Sequence, residues 1–195
     1  MGLAISWVAC NGKAPELLLQ ELGCRTTGEF GERANYPLAG RILPSGWYVM
    51  IANRRDHAIV SASILSIISQ GCSVIACSIE EHVMYCGSSL WHDGEKRWGL
   101  EHQGDRDVTH LAVTGNPPEA LQQIRQVCAD KQIDEPRGRY SVDWFFEIPL
   151  EIAKDAAGFR HDKAIPGIEP ESFEILEVIA GGLLASRTRP WWRLW

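Results

Sequence analysis

Apolar and polar positions alternate most regularly over residues 72–115, which read as four consecutive antiparallel strands. Asp93-Gly94 is the two-residue loop that a tight hairpin of this kind uses, because both positions tolerate positive φ. With that loop, His92 lies opposite Glu95, Trp91 opposite Lys96, Ser89 opposite Trp98, Gly87 opposite Leu100 and Tyr85 opposite His102. The alternation then collects Val83, Tyr85, Trp91, Trp98 and Leu100 on an inward face. Met84, Cys86, Leu90, His92, Glu95, Arg97 and Glu101 fall on the other. The first strand, 73–79, is apolar on both parities and reads as an interior strand, while the last points Leu111 and Val113 inward.

The pattern predicts further strands at 3–10, 26–30, 38–42 and 47–52. Helices are expected at 16–22, between Pro15 and Gly23, at 59–69 ahead of Gly71, and from Pro118 to about Asp130. Residues 131–141 are polar and read as a linker. After it, 142–148 reads as extended, Pro149 opens a helix over 150–157, and 173–184 is apolar enough for a last strand or helix. The fold class this implies is α+β: a mainly antiparallel sheet with the four-strand meander at its centre and helices packed on one face. Residues 1–133 form the main domain and 134–195 a C-terminal extension packed on the same body.

Composition narrows the function. The chain has 195 residues, 45% hydrophobic and 23% charged, which suits a globular domain that needs neither disulfide nor metal to hold a core. A formal charge of −6 repels phosphate backbones, so nucleic acid is not the expected partner. No segment has the length and apolarity of a membrane span, and no signal peptide is visible. The six cysteines lack Cys-x-x-Cys spacing and lie in apolar patterns, so they read as reduced, buried thiols of a cytoplasmic protein.

Candidate chemistry is sparse. His82 and Cys86 are four apart, but on a strand that span is about 13 Å, too long for two ligands of one ion. Cys77 or Cys86 could meet His102 or His110 across strands as a nucleophile and base. Asp105 and Asp107 sit in a turn, where paired carboxylates can hold Mg²⁺ beside a substrate phosphate or simply cap local N–H groups. The polar loops are Glu80-Glu81-His82 and Arg160-His161-Asp162, the latter just past a helix end. The Gly-x-Ser-x-Gly, phosphate-loop, Gly-x-Gly-x-x-Gly and His-Glu-x-x-His signatures do not occur, and no cofactor is implied. Eight tryptophans are many for this length, and three stand in a tail with three arginines. That tail, Arg187, Arg189, Trp191, Trp192, Arg193 and Trp195, carries the residue types enriched at interface hot spots.

Trp91-His92-Asp93-Gly94…Trp98, then His102, then Leu111…Gly115-Asn116-Pro117-Pro118, resembles a pattern in small bacterial cytosolic α+β proteins. The resemblance covers roughly 47–130, and some proteins of that kind accompany toxins as immunity partners. The acidic charge, the surplus of tryptophan, the missing catalytic signatures and the Arg/Trp tail point to a non-enzymatic interaction module, of the immunity or inhibitor type, that neutralises a basic partner through an acidic face. The alternatives are a small-molecule enzyme with a groove built from loops 53–57, 80–82 and 159–163, and a self-associating structural protein whose exposed tryptophans bury against a second copy. Convergence of those three loops on one pocket would favour the enzyme.

Overall fold

The computed structural model describes residues 2–135 and 141–185. Its strands are β1 (Ala4–Asn11), β2 (Cys24–Gly31), β3 (Leu38–Ile42), β4 (Tyr48–Ala52), β5 (Ser73–Glu80), β6 (Tyr85–His92), β7 (Glu95–Gln103), β8 (Ala112–Gly115) and β9 (Phe173–Val178). The helices are α1 (Pro15–Leu22), α2 (Ala62–Ile68), α3 (Ala120–Asp134) and α4 (Glu147–Ala157). One antiparallel sheet runs β2-β9-β3-β4-β1-β5-β6-β7-β8, so the fold is α+β. The meander β5–β8 forms one half of the sheet, and β1 takes the centre in its place. The late strand β9 inserts between β2 and β3.

Helices cover both faces, not the single face expected from the sequence. Val8, Cys10, Met50, Val74 and Ala76 point toward α1 and α2. Trp7, Ala9, Val49, Ile51, Ile75 and Cys77 point toward α4 and its flanking aromatics. Strands apolar on both parities need a layer on each side. α1 supplies Leu18, Leu19 and Leu22, and Gly23 ends it at φ 67 with its N–H directed to the carbonyls of Gln20 and Leu19. On the other side Trp7 meets Phe159 edge to face, with ring centroids 5.1 Å apart. The α4 helix begins at Glu147, two residues before Pro149. A proline in the first turn has no intrahelical N–H to lose, so it does not mark the helix start.

The hairpin forms where the sequence places it, with Asp93 at φ 51 and Gly94 at φ 78. Its tip is held by α2: Ser66 Oγ donates to the Gly94 carbonyl at 2.8 Å, and Asp93 Oδ1 accepts from the Gly71 N–H at 3.1 Å. Trp91 pairs with Lys96 as expected, but a bulge at Leu90/Trp91 then moves the register by one. Leu90 therefore opposes Trp98, Ser88 opposes Leu100 and Cys86 opposes His102. A single inserted residue sends every later side chain to the other face. Trp98 and Leu100 thus share the α4 side with Cys86, whereas Trp91 packs on the α2 side. Val113, expected inward, is exposed because β8 is a short edge strand. All six cysteines are free and buried, and burial pushes the Cys10 thiol up to about 12. Among the described residues no helix is long and apolar enough to cross a membrane.

Candidate functional site

The two polar loops singled out in the sequence meet. Arg160, buried at the end of α4, is held by Glu147 at 2.6 Å, by Asp162 at 2.6 and 3.0 Å, and by Glu151. Burial opposes its charge, yet the hydrogen bonds to Asp162 and Glu147 outweigh that and raise Arg160 further above its ordinary value. Burial also opposes ionisation of Asp162, but Arg160 holds it below the usual carboxylate range. His161 is buried beside this cluster with its Nδ1 unpartnered, and burial lowers its pKa. Its Nε2 lies 3.9 Å from Glu81 Oε1, while Glu81 Oε2 accepts the Leu3 N–H at 2.8 Å. Glu80 and His82 form a local pair, Nδ1 to Oε1 2.6 Å, and that bond keeps Glu80 below its ordinary value.

The third loop of the enzyme reading approaches them through Arg55, whose charge helps to hold Glu80 below its ordinary value, but it shares no pocket with them. Residues 55–57 line a groove on the α2 side of the sheet, which neither 80–82 nor 159–163 enters. The Cys–His reading also fails on contact chemistry. Cys86 does lie opposite His102, but the His102 ring is buried between the His110 carbonyl, 2.7 Å from Nδ1, and Asp143, 2.9 Å from Nε2. Cys86 is pushed well up by burial and by Cys77, so it holds its proton. Asp107 is a turn residue that accepts the Thr109 N–H and hydroxyl, both at 2.6 Å. Among the described residues no three His, Cys, Asp or Glu side chains are placed to hold one metal ion. The tail candidates Arg187, Arg189, Trp191, Trp192, Arg193 and Trp195 lie outside the described residues.

From His161 the structure leads to a surface that the linear sequence hides. Arg33 donates to the His161 carbonyl and stands over the Phe173 ring at 5.7 Å, which ties the polar loop to the start of β9. There β2 forms one edge of the sheet, Phe30 lies opposite Glu174, and Gly31 opposite Phe173. Glu29 and Glu32 come from β2 and its exit, and Glu169 and Glu171 from the 3₁₀ turn that enters β9. With Glu174 these make five carboxylates, none with a cation within 4 Å among the described residues, whereas Glu177 is taken by Arg25. Two cations that approach this end are spent on main chain: Arg33 on His161 and Arg41 on the Ser172 carbonyl. Phe30 stands 63% exposed on the same edge. These residues come from two segments about 140 apart in sequence, joined only by the pairing of β2 with β9. The local signal was the acid-rich run Glu169, Glu171, Glu174, Glu177.

Comparison with protein-family models, with curated proteins and with solved structures finds no match to this chain.

Proposed function

We propose that this protein is a non-enzymatic interaction module that binds a basic partner protein at the acidic β2–β9 edge. The observation that carries the reading is the edge strand β2, with five glutamates that are unpaired among the described residues beside an exposed Phe30. An edge strand offers unpaired backbone N–H and C=O groups to an incoming strand. The carboxylates select a cationic partner and raise its encounter rate, because like charge is repelled and opposite charge steered. Phe30 supplies the apolar anchor that such interfaces concentrate at their centre. An inhibitor that covers the cationic surface of a toxin has these requirements, which is the immunity-type role that the sequence resemblance also implies.

Affinity capture from lysate tests this, with wild type, Phe30→Ala and the triple variant Glu29→Lys/Glu171→Lys/Glu174→Lys compared at two salt concentrations. The expected result is one stoichiometric partner with an isoelectric point above about 9. It is retained by wild type at about 0.1 M salt, weakened at about 0.5 M, and lost from the triple variant. An acidic partner, or a basic one that the triple variant still holds, refutes the assignment. So does the failure of wild type to retain any partner.

A further inference from the structure

Across the sheet from this edge, the α2 side of β5–β8 carries a groove of about 640 Å³ that runs from the 55–61 segment to β8. Its floor is low because Gly87 and Gly99 are part of it. A Cβ on Gly87 would lie 2.9 Å from the Tyr85 hydroxyl, so glycine lets that phenol settle over β6. Above the Tyr85 ring stands the Arg55 guanidinium, 4.3 Å from the centroid. The main chain behind it is pinned: Ser78 Oγ donates to the Arg55 carbonyl at 2.7 Å, and the buried Ser6 hydroxyl donates to the same oxygen. Arg55 is thus a pre-positioned planar fork, the geometry that pairs with carboxylate or phosphate through two N–H groups.

A second cation leans over the same floor. Lys96 Nζ lies 3.1 Å from the point where a Gly99 Cβ would stand, next to Thr114 Oγ1 at 2.9 Å. Neither Arg55 nor Lys96 has a carboxylate within 4 Å among the described residues: the neighbouring Asp56 is held by Arg54 and Glu95 by Arg97. The groove's other acid, Glu101, accepts from the Gln103 amide at 2.5 Å and from the Tyr85 hydroxyl at 3.4 Å. Burial, and then Glu101, push Tyr85 up to about 12, so it remains a neutral donor. Gly87 pairs with Glu101, two residues along β7 from Gly99, so the two floor points are diagonal neighbours about 7–8 Å apart.

We propose that this groove binds a small molecule with two oxyanions, one taken by the Arg55 fork and the other by the Lys96 ammonium. Two cations over neighbouring points of one floor favour a short dianion over a single oxyanion. The site is independent of the acidic edge and stands whether or not that edge binds a protein.

The test is calorimetric titration of the full chain with glutarate, inorganic phosphate and putrescine, alongside backbone amide spectra. Glutarate is expected to bind and to shift the Gly87 and Gly99 amide signals, phosphate to bind at least tenfold more weakly, and putrescine not to bind. Arg55→Ala, at a half-buried side chain, and Lys96→Ala, at an exposed one, should each weaken glutarate by about 10–100-fold, the loss of one charge-assisted hydrogen bond. Gly99→Val retains both charges in the chain but fills the floor and crowds Lys96 Nζ and Thr114 Oγ1. Loss of binding in that variant places the ligand in the groove, and retained binding overturns the proposal. Phosphate binding as tightly as glutarate, glutarate affinity unchanged in the alanine variants, or no glutarate binding at all also overturns it.

Discussion

Asp143→Ala isolates the contact that ties the sheet to α4. Asp143 Oδ2 lies 2.9 Å from Nε2 of His102 on β7, and its Oδ1 accepts the Phe146 N–H at 3.2 Å just ahead of the helix. His102 is completely buried, and its other nitrogen faces the His110 carbonyl at 2.7 Å. Both ring nitrogens therefore sit within hydrogen-bond distance of an oxygen. Removing the carboxylate forfeits one charge-assisted hydrogen bond, about 1.5–3 kcal/mol, and one bond to main chain, about 1 kcal/mol. It also leaves a buried ring nitrogen without its partner, which keeps the loss toward the upper end of about 2.5–4 kcal/mol. For a chain of this size that corresponds to a fall in Tm on the order of 10 °C. Urea denaturation followed by circular dichroism gives ΔΔG at constant m-value. A loss under about 0.5 kcal/mol would show that Asp143 contributes nothing beyond a solvated surface carboxylate, and the reasoning would be refuted.

Two further outcomes follow from the Arg160 cluster. Arg160→Ala strands Glu147, Glu151 and Asp162 together at the end of α4, and chemical denaturation should show a loss of about 2–4 kcal/mol, discounted for their partial exposure. Arg160→Lys should recover less than half of it, since an ammonium cannot reproduce the fork. The pKa of His161 is lowered in the folded chain by burial, so below its ordinary value near 6.5 the unfolded chain takes up a proton that the folded chain refuses. Stability is thus full above that pH and falls as pH drops through it. Denaturation midpoints measured between about pH 7.5 and 5 should show the decline, and His161→Gln should flatten it.

Local pattern was enough for most elements and for the α+β class. Asp93-Gly94 marked the hairpin, Pro15 and Gly23 bounded α1, and two-sided apolarity marked β5 as interior. The same two-sidedness in 3–10 and 47–52 already demanded a second helical layer, but that inference needs knowledge of which strands are neighbours. Register failed at the bulge after Trp91, because one extra residue leaves no trace in an alternating pattern and reverses all that follows. The site divided the same way. Arg160, His161, Asp162 and Glu81 were visible as local charge clusters, and the structure brings them together. The acidic edge depends on β9 reaching β2 across most of the chain, and the groove depends on glycines that signal nothing until a register places them side by side.

The edge and the groove lie five strand positions apart, from β9 to β6, which at about 4.8 Å per strand is about 24 Å. That is about three Debye lengths at physiological salt. Two unit charges at this distance in water interact by about 0.2 kcal/mol before screening and by about 0.01 kcal/mol after it. Reversing three glutamates at the edge changes six charges, so the groove feels a total near 0.1 kcal/mol. Glutarate affinity in the Glu29→Lys/Glu171→Lys/Glu174→Lys variant should therefore stay within about twofold of wild type, although that variant loses the basic partner. A change above about fivefold cannot be electrostatic at this range. It would mean that the sheet itself transmits strain between β9 and β6. The ligand and the partner would then have to alter each other's affinity by the same factor, and the two surfaces would be one coupled site.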